Sequence, residues 1–258
     1  MARIVMADDG IAFDGLTMRE RPLGGAETAF ASLAEAFAAR GHQVTVSNNC
    51  PNPGTHFGVE WVPIKEGLPG RADLYIANRG DRLLLAMGGR ARRSVFWIHN
   101  PARYLLKLRY LWKLALKRPA IVFSGPSHLA SYPTWAPCGE RVMIPYGIGE
   151  LFRQAEPAPT PPPPRAIFTS NPLRGLAWLL ELWAARIHPG LPTAELHVFS
   201  GPATYGAMGE AKRAAMMAVL DGPGFTDAQG KTLFSYAHPL FWAPYTIIGD
   251  GGGAGTAK

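Results

Sequence analysis

Cysteine is scarce in this chain, with Cys50 and Cys138 the only two in 258 residues. Two isolated thiols form neither a disulfide framework nor a structural zinc site, so a reducing, cytoplasmic setting is expected. No run of about eighteen apolar residues occurs, which leaves no candidate for a bilayer-crossing helix. The opening Met1-Ala2-Arg3-Ile4 lacks the basic stretch, apolar core and small-residue cleavage site of a secretory signal. Charge is sparse too: 17% of residues are charged against 47% hydrophobic, the balance of a well-buried globular chain rather than a disordered one. Acidic residues vanish altogether between Arg82 and Gly139, where ten Lys and Arg occur, and the net charge of the whole is +7.

What is present begins with a glycine pair. Arg3 to Ala7 is a short apolar run that reads as a buried strand. After it comes Pro22-Leu23-Gly24-Gly25-Ala26-Glu27, and then Thr28 to Arg40, with apolar residues at Phe30, Leu33, Ala34 and Phe37. That spacing predicts an amphipathic helix, and Gly41 is placed to end it. Gln43 to Val46 reads as the next strand. Gly24 and Gly25 therefore sit between a strand and the N-terminus of a crossover helix, where unhindered main chain, free N–H groups and the helix dipole together favour a phosphate. A tight turn with no ligand is the plain alternative.

The alternation continues. Val59–Ile64, Ala72–Ala77, Ser94–Ile98, Ala120–Phe123 and Arg141–Ile144 read as strands, and Asp81–Met87 as a short helix with Asp81 as its cap. Six or seven short apolar strands separated by helices predict an α/β fold with a parallel, doubly wound sheet. Ligands of such sheets bind beyond the carboxyl ends of the strands, where Gly24, Gly25, Arg79, His99 and Asn100 would lie. Residues 103–118 carry six of the cations and read as one helix. Leu105, Leu108, Leu111, Trp112, Ala115 and Leu116 gather on one side, and most cations on the other. A basic amphipathic helix of this kind is either a domain helix with a solvated basic face or a segment that meets an anionic or lipid-linked partner at a membrane surface. Nucleic acid is not expected, because Tyr104 and Trp112 fall on the apolar side rather than between the cations. Residues 156–164 are proline-rich and read as a stiff linker between a first domain, 1–155, and a second α/β domain, 165–258. In the second, Arg165–Thr169 and Glu195–Ser200 are expected strands, and Leu173–Ala185 and Gly206–Leu220 expected helices.

Five segments, in order, carry a resemblance. They are Gly24-Gly25-Ala26-Glu27, residues 39–46, Trp97-Ile98-His99-Asn100, residues 144–152, and Asn171-Pro172-Leu173-Arg174-Gly175-Leu176. Over roughly residues 1–208 the chain resembles the family 4 glycosyltransferases, which have the GT-B fold of two Rossmann-like domains. The resemblance implies transfer of a sugar from a nucleoside diphosphate sugar, which serves as co-substrate, with no cofactor and no metal. It implies that Gly24, Gly25 and Arg174 hold the donor diphosphate and that His99 is the catalytic-site histidine at the sugar end of the cleft. Arg79 and Asn100 are candidate substrate contacts by position. The resemblance lapses past about residue 208, where the family's Glu-x7-Glu donor segment has no counterpart, so the expectation includes loss of activity. Residues 210–217 and 236–250 instead resemble the closing helix and strand of a CHAT domain, a caspase-like module, with no protease residues to carry over; His238 reads as structural there. A non-catalytic phosphate- or nucleotide-binding module stays open as an alternative. A nicotinamide oxidoreductase is opposed by the absence of Gly-x-Gly-x-x-Gly and of an acidic residue after Val46-Ser47-Asn48.

Overall fold

The computed structural model describes residues 1–21, 23–149, 153–156, 159–160, 163–170 and 175–199, together with short strands at 225–226, 232–234 and 245–247. The chain divides into two units, Met1–Arg153 and Gln154–Lys258.

In the first unit the strands are β1 (Arg3–Asp8), β2 (Gln43–Asn48), β3 (Gly54–His56), β4 (Val59–Pro63), β5 (Ala72–Asn78), β6 (Ala91–Trp97), β7 (Ala120–Phe123) and β8 (Arg141–Met143). They form one sheet in the order β3-β4-β2-β1-β5-β6-β7-β8. Every pairing is parallel except β3 with β4. Side chains alternate between the faces of a strand, and here both faces are buried. Val5 and Ala7 of β1 enter one core with Tyr75, Ala77 and Phe96, while Ile4 and Met6 enter the other with Val44, Val46 and Ile76. That double burial is why the strands read as continuous apolar runs, and it confirms the doubly wound parallel sheet.

Among the described residues the faces are covered by α1 (Thr17–Glu20), α2 (Gly25–Ala39), α3 (Leu83–Ala86), α4 (Leu108–Lys117) and α5 (Pro126–Ala130). α2 buries Phe30, Ala31 and Ala34, and the Phe30 ring meets Phe13 edge-on and stacks with Trp97. It starts at Gly25, earlier than Thr28, so the second glycine is its first residue.

Three further expectations need correction. Asp81 does not cap α3, whose N-cap is Arg82; its carboxylate takes the Lys113 ammonium instead, at 2.5 Å. Residues 103–118 are not one helix: a 3₁₀ turn, Ala102–Leu106, stops at Lys107, whose ψ of 138° is extended, and α4 begins after it. The domain-helix reading would bury the apolar side, but along α4 that side is the outer one. Tyr110 and Leu114 are buried, while Leu108, Trp112 and Leu116 are 77%, 48% and 66% exposed. The inward side tolerates cations because Lys113 reaches Asp81 and Lys117 donates to the Gly88 carbonyl. The β3–β4 hairpin was not anticipated either. Phe57 and Gly58 turn it with φ of 51° and 77°, the sign a tight hairpin needs at both central positions. The Arg19 guanidinium lies 3.4 Å above the Phe57 ring.

In the second unit β9 (Arg165–Phe168), β10 (Glu195–Val198) and a later strand, Tyr245–Ile247, form a parallel sheet with β10 in the middle. A two-stranded antiparallel ribbon pairs Phe225–Thr226 with Thr232–Phe234. α6 (Leu176–Leu182) runs on through a π-helical turn, Trp183–Ile187, and covers one sheet face with Leu176 and Trp183 against Leu196 and Val198. The expected helix at 206–220, residues 210–217, His238 and Arg174 lie outside the described residues.

Candidate functional site

Strand order reverses between β1 and β5: the chain winds outward to β2, β4 and β3 on one side and to β6, β7 and β8 on the other. At such a reversal the loops leaving the carboxyl ends diverge and open a crevice. Register sets what lines it. Asp8, the last residue of β1, pairs with Asn78, the last of β5, and Asn78 pairs with Trp97, the last of β6. Arg79, the residue after β5, and His99, two residues past the end of β6, project from the same end.

These groups form one chain of hydrogen bonds. Asp8 is fully buried and can only accept, so the Asn78 amide turns its Nδ2 toward Asp8 Oδ2, at 2.5 Å. That leaves Asn78 Oδ1 as an acceptor for His99 Nε2, at 2.6 Å. With the proton on Nε2, His99 Nδ1 is free to accept from the Tyr146 hydroxyl, also at 2.6 Å. The Tyr146 and His99 rings stack, and Trp97 lies 4.9 Å from the His99 ring. Burial and the nearby Arg79 cation push the His99 pKa down to about 4. His99 is therefore a neutral imidazole of defined tautomer at neutral pH, able to hydrogen-bond but not to give up a proton.

Arg79 completes the site in a different way. Its guanidinium lies 2.5 Å from Glu27 Oε1 and 3.2 Å from Asp8 Oδ2, so it is bound to two carboxylates of its own chain. Its backbone φ is +50°, unusual for a side chain of this size, and its N–H donates to the Trp97 carbonyl. Glu27, in the first turn of α2, folds back over the helix start: a Cβ on Gly24 would strike its carboxylate, whereas a Cβ on Gly25 would meet nothing within 4 Å. Glu27 thus supplies a negative charge at the helix N-terminus, and the approach to Gly25 is open. Gly24 itself has an ordinary φ of −61°, so its role is clearance rather than conformation.

Asn100 gives its carbonyl to His128 Nε2, at 2.8 Å. With Asp9, Arg79, Gly80, Asp81, Tyr104 and Tyr110 it lines an adjoining cavity of about 380 Å³. Burial and neighbouring Asp8 raise the pKa of Asp9 there.

The structure therefore brings Gly24, Gly25, Arg79, His99 and Asn100 to one end of the first unit, while Arg174 falls outside the described residues. The residues that sequence reasoning missed are Asp8, Asn78 and Tyr146, with Glu27 noted only as part of a motif. A signal did exist for two of them: Asp8 and Asn78 are the polar residues that close two apolar runs, the place where a parallel sheet presents its chemistry.

No protein-family model matches the chain, and no curated protein matches it. Among solved structures it is similar to WaaG, a glycosyltransferase involved in lipopolysaccharide biosynthesis, with a TM-score of 0.47 and 15% identity over 83% of this chain and 68% of that one. It is also similar to an alpha-glucosyltransferase in complex with UDP and a mismatched 13-mer DNA, with a TM-score of 0.43 and 12% identity over 84% of this chain. The chain spans 60% of the length of that second protein.

Proposed function

We propose that the chain is a glycosyltransferase-like protein of the GT-B type that binds a nucleoside diphosphate sugar. The observation that carries this reading is the convergence of α2's open N-terminus, at Gly25, and a neutral, oriented His99 on the point where strand order reverses. Departure of a nucleoside diphosphate concentrates negative charge on the leaving phosphate. Amide groups at a helix start are suited to stabilise that charge in a poorly solvated site, and the resemblance assigns Arg174 to the same diphosphate. Arg fits the second role because its planar fork can meet two phosphate oxygens together. No metal is required for this arrangement.

His99 orients the sugar in this reading. A sugar hydroxyl would replace the half-exposed Tyr146 hydroxyl as the donor to Nδ1, while Asn78 keeps the ring in place. Arg79 acts as a positioning residue, since its guanidinium is already engaged by Asp8 and Glu27. The acceptor belongs to the lipid-linked or anionic class that the basic segment at 103–118 favours, and the protein works in the cytoplasm.

Thermal stabilisation by UDP or GDP, with NAD as the control, tests the reading. A rise in Tm with nucleoside diphosphates alone is expected, and no rise with any of them overturns the assignment. Arg174→Ala should weaken diphosphate binding by about 1.5–3 kcal/mol, the value of a charged hydrogen bond; unchanged affinity removes Arg174 from the site. A second reading is a non-catalytic nucleotide- or phosphate-binding module, supported by His99, which burial and Arg79 keep neutral and unable to give up a proton. Nucleotide binding without sugar release or transfer across a panel of labelled donors would select it.

A further inference from the structure

The outward side of α4 bears an apolar stripe that nothing among the described residues covers. Leu108, Trp112 and Leu116 recur every fourth residue and are 77%, 48% and 66% exposed, with exposed Ala115 between the last two. Single exposed apolar residues are ordinary on a protein surface; three aligned on one helix side make a patch. Lys107, Arg109 and Arg118 flank it in sequence, with Arg103 in the preceding turn, and all four are exposed. Lys113 Nζ lies 5.6 Å from the Trp112 ring while it holds Asp81, the last carboxylate before the acid-free stretch. No acidic residue occurs from 82 to 139 to offset these cations.

From this combination we infer that α4 is a membrane-docking helix, which lies in the plane of an anionic bilayer surface with Leu108, Trp112 and Leu116 set among the headgroups and acyl chains. The physical case has three parts. An occupant must cover apolar surface, so a free anion does not suffice. It must also be negatively charged, which argues against a second copy of this chain: a two-fold contact centred on Trp112 would bring Lys107 and Arg109 of one copy toward Lys117 and Arg118 of the other. And the stripe is short, about 12 Å of helix, with a Trp at its centre, which suits the shallow interface of a bilayer rather than a deep protein groove. Among the described residues no helix is long and apolar enough to cross a membrane, so the contact is peripheral. The inference does not depend on the transferase reading.

The test is co-sedimentation of the full chain with vesicles, without nucleotide or sugar. Phosphatidylcholine vesicles containing about one part in three of phosphatidylglycerol should bind at least about tenfold more tightly than phosphatidylcholine alone, because each surface cation adds to the attraction. Binding should weaken with salt, and Trp emission should shift to the blue. Leu108→Ser, Trp112→Ser and Leu116→Ser combined should abolish sedimentation and the blue shift. Lys107→Glu with Arg109→Glu should reduce binding to the level seen with phosphatidylcholine. All these side chains are exposed, so an unchanged Tm for each variant verifies the fold. Failure of the wild-type chain to prefer anionic vesicles overturns the inference. So does a triple Ser variant that binds as well as wild type, or one whose only change is loss of self-association in sedimentation velocity.

Discussion

α2 and α4 are both amphipathic, both pack on the same sheet, and teach opposite lessons about what an apolar stripe means. In α2 the apolar residues Phe30 and Ala34 face inward and are buried, with Leu33 and Phe37 half-buried at their edges. In α4 the larger apolar residues face outward, and the inward side mixes Tyr110 and Leu114 with two lysines. The difference lies in what the neighbours offer. Beneath α2 are Phe13, Trp61 and the β2 valines, which have only apolar surface to share. Beneath α4 are the Asp81 carboxylate and the Gly88 carbonyl, two acceptors that let lysine stems pack while their ammonium groups stay paired. Hydrophobic periodicity identifies an apolar side, but the acceptors below decide whether it is the buried one.

The sharpest way to break this contrast is to truncate one aromatic from each helix. Phe30→Ala should cost about 3–5 kcal/mol, because a fully buried ring is lost together with two ring contacts. Trp112→Ala should change stability by no more than about 0.5 kcal/mol despite the larger side chain. Urea unfolding measures both, and comparable costs would show that α4 buries its stripe after all. Next in size is Arg79→Gln. It strips the cation from Glu27 at the head of α2 and from buried Asp8, and should cost about 3 kcal/mol, the low end for breaking a buried pair because Arg79 is partly exposed.

Acid should expose the same region through His99. Its pKa is held down to about 4 in the fold against 6.5 ordinarily, so the unfolded chain takes up a proton that the folded chain refuses. Stability should fall as pH drops from about 6.5 to about 4, and the contribution is spent below that range. His99→Gln should flatten this part of the curve in Tm measured against pH. An unaltered slope would mean that the ring is not held neutral by burial and the Arg79 cation.

Much of the framework was legible in the sequence. The strands showed as apolar runs because both sheet faces are covered, and the glycine pair, His99 and Asn100 lay where strand ends predict. What was hidden depends on register or on distant partners. The relay from Asp8 through Asn78 and His99 to Tyr146 joins four segments, and no local pattern states that residues 8 and 78 stand side by side. Arg79 was a candidate substrate contact by position alone, and only Asp8 and Glu27 reveal that its charge is already engaged. The β3–β4 hairpin escaped because Phe57, a poor turn former, occupies a positive-φ position.

The smallest effect tests why α4 can face inward with its lysines. Lys113 and Asp81 are only partly buried, and bonding to Lys113 holds the Asp81 pKa below 3.8. Lys113→Met keeps the packed stem and removes the ammonium, leaving Asp81 near enough to water to be solvated. The loss at neutral pH should be about 0.5–1.5 kcal/mol, in the range of a partly exposed pair that is also a charged hydrogen bond. Because the carboxyl is held below its ordinary value, the pair stabilises the fold above pH 3.8 and the contribution disappears as pH falls through the lowered value. The gap between Lys113→Met and wild type in urea unfolding should therefore narrow on acidification. A gap that stays constant with pH would assign the loss to packing, and the inward lysines would then be held by their stems rather than by the acceptors beneath them.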